Sequence, residues 1–189
     1  VITASSSLPD VAFAVCSALA QRGFVAVLTG GSAATYHAPD AYQSRDLDFV
    51  LTFRGTDGAR ALESLGYQRK GDFYLHAASP FPLEFPPGPL AVGEDLITAW
   101  STVVRGDETL HVLSPTDSCR DRLASYLFWN DLSGLEQALA VHLARPAEVD
   151  LKALKAWCRR EGQAQKFELY EERWRAAAAA GLKLPTRAP

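Results

Sequence analysis

The pattern of apolar residues changes once along the chain, at Ser114-Pro115-Thr116-Asp117, and that change limits the fold more than any other feature. Before it, apolar runs are short and punctuated by glycine and proline, the spacing of strands and short helices. After it, only helical patterning is visible. Ser114 can cap a helix, Pro115 suits the first turn and Asp117 completes a capping box. Helices are predicted over residues 116–129, 133–144, 150–160 and 164–180, separated by turn signals at Asn130-Asp131, Pro146 and Gly162. The tail from Leu182 reads as loose. Strands first and helices last predict an α+β chain, with a sheet domain over residues 1–113 and a helical region over 114–189.

In the first half, Ser7-Leu8-Pro9-Asp10 marks a helix start, and that helix runs to about Arg22 before Gly23 stops it. Residues 24–28 suit a buried strand. Thr29-Gly30-Gly31-Ser32 follows at once, then a short helix over 33–37 ended by Pro39. Residues 46–51 read as a strand, 58–65 as a helix closed by Gly66, and 73–77 and 81–85 as two strands, the second shortened by proline. Pro86-Pro87-Gly88-Pro89 is a rigid turn, and 110–113 a last strand.

With 189 residues, 48% of them hydrophobic, the chain can bury a core. Its net charge of -3 argues against a protein that coats nucleic acid, though not against a small basic patch. Cys16, Cys119 and Cys158 form no CxxC pair, so a zinc ribbon is not expected; reduced, buried thiols in a cytoplasmic protein are. No apolar run approaches the roughly 18 residues of a membrane span. The apolar stretch 11–20 reads as a core helix, not a signal peptide.

Two segments carry chemistry. Glycines let a chain approach phosphates closely and a helix start adds a favourable dipole, which Gly30-Gly31-Ser32 offers between a strand and a helix. Asp46 and Asp48 are two apart on a predicted strand, so both carboxylates point to one face, as a clamp for a hard divalent cation requires. A third carboxylate on a neighbouring strand would complete the set and take a proton from an acceptor. Glu84, alone in an apolar strand, is the best candidate.

The order strand, Gly-Gly-Ser, short helix, then Ser44-Arg45-Asp46-Leu47-Asp48 leading a strand resembles the DNA polymerase β-like nucleotidyltransferase superfamily. More narrowly, it is similar to small bacterial nucleotidyltransferase-like proteins that include the AbiEii toxin group. The likeness covers residues 25–85. It implies a nucleotidyltransferase-type mixed sheet flanked by helices, followed by a C-terminal helical region. It also implies a nucleotide site at Gly30, Gly31, Ser32, Ser44 and Arg45, and Mg2+ (or Mn2+) on Asp46, Asp48 and Glu84. The activity implied is transfer of a nucleotidyl group from a nucleoside triphosphate to a hydroxyl on a protein, a tRNA end or a small molecule. A toxin–antitoxin role would follow from fold analogy alone. Glu84 stands where the family more often has aspartate, and Tyr42 where many relatives have arginine. Arg45, Lys70, Arg120 and Arg122 are the candidate phosphate-facing cations.

Plainer readings stand beside these. Gly30-Gly31 can be a tight turn, Asp46 and Asp48 a solvated strand end, and Glu84 a rim residue. Arg120 and Arg122 can form local helix pairs. His37 reads as a surface or supporting residue. His76, His111 and His142 read as ordinary strand or helix residues, and Trp129, Trp157 and Trp174 as packing residues. Two other functions compete: a non-catalytic member of the fold that binds a nucleotide or a partner protein, and a glycosyltransferase using Asp-x-Asp. The short chain and the early position of Asp46 disfavour the second.

Overall fold

The computed structural model describes residues 1–181, and the predicted loose tail from Leu182 lies outside them. The architecture is α+β, with seven helices and a mixed open sheet among the described residues. The chain divides into two compact units. Residues 114–181 belong to the second unit, as do two excursions of the first half, Ala33–Gln43 and Val92–Asp95.

The first unit is built on a seven-stranded sheet. Its strands are β1 (Val25–Thr29), β2 (Leu47–Phe53), β3 (Tyr67–Lys70), β4 (Phe73–His76), β5 (Leu83–Glu84), β8 (Ser101–Arg105) and β9 (Glu108–Val112), in the order β3-β4-β5-β2-β1-β9-β8. β1 runs antiparallel to β2 and parallel to β9, and β2 runs parallel to β5. The central strands are the apolar ones: Ala26, Val27, Leu28, Leu47, Phe49 and Leu83 are all buried. Helix α1 (Leu8–Ala20) packs on β9 and β1, and α3 (Gly58–Ser64) packs on α1 and β3. α1 starts where predicted because Ser7 Oγ accepts from the Asp10 amide while the Asp10 carboxylate accepts from the Ser7 amide.

The outer strands β3 and β8 were not predicted. β3 reads Tyr-Gln-Arg-Lys with only Tyr67 buried, and β8 alternates half-buried and exposed positions. Such polar strands at sheet edges carry little hydrophobic pattern while pairing through their backbones. The two-residue strands β6 (Ala91–Val92) and β7 (Asp95–Leu96) form a separate small ladder that no run of apolar residues announces.

The helical unit contains α4 (Pro115–Trp129), α5 (Leu132–Ala144), α6 (Leu151–Arg160) and α7 (Ala164–Ala179), within two residues of the predicted spans. Ser114, Asp131 and Asp150 each accept a backbone N–H at a helix start. Trp157 is buried, as expected for packing, but Trp129 is 74% exposed. It lies in the last turn of α4, at the turn into α5, with Phe128 and Leu132 also exposed around it. His142 is buried, its Nδ1 2.7 Å from the Tyr170 hydroxyl and its ring stacked on Trp174. All three cysteines are free and buried, and burial pushes the Cys16 thiol up to about 12. No helix among the described residues is long and apolar enough to cross a membrane.

Candidate functional site

β1 runs directly into α2 (Gly30–His37) with no intervening loop. The turn depends on Gly30, whose φ of +63° lies in the left-handed region. A Cβ at Gly30 would stand 2.5 Å from Asp48 Oδ2, so the Asp48 carboxylate lies directly against the Gly30 backbone. Antiparallel pairing sets this position, because Thr29 is opposite Asp48 in the ladder and its hydroxyl donates to the Asp48 carbonyl at 3.3 Å.

Ser32 completes the junction. Its Oγ donates to the Thr29 carbonyl at 2.7 Å and accepts the Asp48 amide at 3.2 Å. The side chain is fully buried, so its hydroxyl braces the turn against β2. The hydroxyl expected at a phosphate is engaged in holding Asp48. Gly30 and Gly31 are buried beside it.

Asp46 lies one residue before β2, half-buried, and Ser44 Oγ donates to its Oδ1 at 2.9 Å. Ser44 is itself buried, so it orients the carboxylate. Buried Leu47 separates the two aspartates: Asp46 sits in the bend that leads into β2, and Asp48, within the strand, turns to the side opposite Leu47. Asp48 is paired in register with Glu84 on parallel β5, which places Glu84 on that side as the cross-strand neighbour. The glycine-serine turn, Asp48 and the neighbouring strand carrying Glu84 therefore meet at one end of the central strands.

Among the described residues, no group of three or more His, Cys, Asp or Glu side chains is arranged to hold a metal ion. Magnesium does not require such a cage: it commonly binds one or two carboxylates together with substrate phosphates and water. Asp46 and Asp48 supply the hard oxygen donors that such an ion takes.

The candidate cations are dispersed. Arg45 is exposed beside Asp46, and Lys70 is exposed at the end of β3. Arg120 donates to Asp117 at 3.0 Å and to Asp95 at 2.6 Å, and Arg122 to Asp121 at 2.6 Å, so both are spent in ion pairs within the helical unit. His37 is buried, not at the surface, and its carbonyl accepts from Arg145 Nε. Sequence reasoning missed the bracing roles of Thr29 and Ser44, although the spacing Ser44-x-Asp46 is a common signal for a local hydroxyl–carboxylate bond.

Comparison with protein-family models, with curated proteins and with solved structures returns no match.

Proposed function

We propose that the chain is a magnesium-dependent or manganese-dependent nucleotidyltransferase of the polymerase β type, acting on a nucleoside triphosphate and a hydroxyl acceptor. The observation that carries this reading is the contact of the Asp48 carboxylate with the Gly30 turn, braced by Ser32. A triphosphate approaching past the half-buried Asp46 and Asp48 would lie against that turn and the α2 N-terminus. Asp46 and Asp48 would hold the metal, which neutralises phosphate charge when bound. Ser44 and Ser32 would keep the two carboxylates in place, and exposed Arg45 would be free to swing toward the phosphates. The acceptor hydroxyl oxygen would bond to the α-phosphorus, the bond to the β-phosphate oxygen would break and pyrophosphate would leave. Glu84 would take the hydroxyl proton on a carboxylate oxygen.

A second reading is a nucleotide-binding protein of the same fold without turnover. It is favoured by the absence, among the described residues, of a preformed three-carboxylate group. One experiment separates the two. The native chain and Asp48→Asn are incubated with each of the four α-labelled triphosphates and Mg2+ in the presence of protein, tRNA and small-molecule hydroxyl acceptors. Thermal stabilisation is measured in parallel. Label transfer that Asp48→Asn abolishes supports the enzyme. Stabilisation without transfer supports the binding protein. Neither result with any base would remove both readings.

A further inference from the structure

A cavity of about 540 Å³ lies within the first unit, between α1 and α3 on one side and β2, β4 and β5 on the other. It lies on the other face of the sheet from the Asp48 carboxylate, and the strand position of Glu84 borders both. Its wall includes Leu51 and Phe85, and Phe85 stacks on Phe49 at 5.7 Å. Phe49 and Leu51 alternate with Asp48 along β2, so the cavity occupies the reverse face of the strand that carries that carboxylate.

Two properties define what it can hold. The inner wall is apolar and aromatic: Phe24, Leu62 and Phe85 line it, and Tyr74 meets Phe85 edge-on at 5.6 Å. The remaining lining includes four charged residues, Arg54, Arg69, Asp72 and Glu84, of which Glu84 turns its carboxylate to the Asp48 side of the sheet and leaves three charges to the cavity. None of the four forms an ion pair among the described residues, and the one side-chain hydrogen bond among them is Arg69 Nε to the Gly71 carbonyl at 3.2 Å. Two guanidiniums and one carboxylate around one apolar space, left unpaired with each other, present both signs of charge. A polyanion such as a triphosphate meets the repulsion of Asp72 and leaves it without a counter-charge. A ligand with one anionic and one cationic group beside an apolar body satisfies both signs.

We propose that this cavity binds a zwitterion with a large apolar or aromatic side chain, of the α-amino-acid type. Its carboxylate meets Arg54 and Arg69, its ammonium meets Asp72, and its side chain enters between Phe24, Leu62 and Phe85. The site needs neither nucleotide nor metal.

The test is a titration of the full chain, without nucleotide, by calorimetry and by ligand-observed NMR. The probes are L-phenylalanine, 3-phenylpropanoate, 2-phenylethylamine and ATP. Phenylalanine is expected to bind about tenfold tighter than either single-charge analogue, the scale of one charge-assisted hydrogen bond, and ATP is expected not to compete. Arg54→Gln and Asp72→Asn, both at exposed positions, should each weaken phenylalanine about tenfold. Ala59→Trp, which fills the cavity from the exposed side of α3, should abolish binding while the far-ultraviolet circular dichroism stays native. Equal binding of a single-charge analogue, no binding of phenylalanine, or full binding by Ala59→Trp would each overturn the assignment. Because no arm contains metal and triphosphate together, failure here leaves the nucleotidyltransferase reading untouched.

Discussion

Ser32 Oγ sits between two strands, donating to the Thr29 carbonyl at 2.7 Å and accepting the Asp48 amide at 3.2 Å. One buried hydroxyl thus fixes the distance between the end of β1 and the start of β2. Removing it leaves two backbone groups short of a partner, at a site with no exposed surface from which water could replace it. Ser32→Ala is expected to lower stability by about 1–3 kcal/mol, read from the urea midpoint. A loss below a few tenths would mean the junction is held without it.

Gly30 makes a separate prediction, because two effects act there and can be split. Its φ of +63° penalises any side chain, and its Cβ would collide with Asp48 Oδ2 at 2.5 Å. Gly71 has nearly the same φ, +66°, and nothing within 4 Å of a Cβ. Gly71→Ala should therefore cost only the left-handed penalty, about 1–2 kcal/mol. Gly30→Ala should cost clearly more, and the excess should vanish in an Asp48→Ala background. An unchanged excess in the double variant would place the collision elsewhere.

The proposed roles of the carboxylates differ, and kinetics resolve them. Asp48→Asn should lose both triphosphate-dependent thermal stabilisation and label transfer. Glu84→Gln should keep the stabilisation and lose about 10²–10⁴-fold in turnover, the usual range for a missing proton acceptor. Glu84→Gln turning over at the native rate would assign the proton to another group.

The elements legible in the sequence were those whose local signals and burial agree. α1 carries a capping box and a buried apolar face, and α4 to α6 begin at Ser114, Asp131 and Asp150, whose side chains cap them. The meeting of Thr29 with Asp48 was also inferable, since β1 and β2 are apolar strands of the first half and β1 ends, and β2 begins, at a polar motif. β3 and β8 were hidden, because an edge strand is stabilised by backbone pairing and its side chains follow solvent more than core. The bracing function of Ser32 could not be read from composition at all. Gly-Gly-Ser predicts a hydroxyl near a turn, and only the register of β2 decides whether it faces a ligand or a neighbouring amide. His142 is the helix residue that the sequence predicts, but nothing near it in sequence reveals that Tyr170 and Trp174 close over it.

That burial gives His142 a measurable effect on pH stability. Desolvation lowers its pKa from 6.5 to about 4, so the folded state resists taking the proton that the unfolded chain accepts. Stability from this group is complete above about pH 6.5. It falls as the pH drops from 6.5 toward 4, where the unfolded state binds more protons, and below 4 the loss is complete. The full loss is roughly 3 kcal/mol from the size of the shift. Carboxylates complicate the lower end, since Asp10, Asp131 and Glu171 all have lowered pKa values through hydrogen bonds to Ser7, Ser133 and Lys155 respectively, and their stabilising effects also disappear in acid. Between pH 6.5 and 5 the slope comes from histidines: burial lowers the His111 pKa too, which adds a slope of the same sign. His142→Gln, which retains an acceptor for the Tyr170 hydroxyl and cannot titrate, should reduce the slope of the unfolding free energy across that interval to the part that His111 contributes. A native slope that persists in the variant would show that the protons are taken up elsewhere.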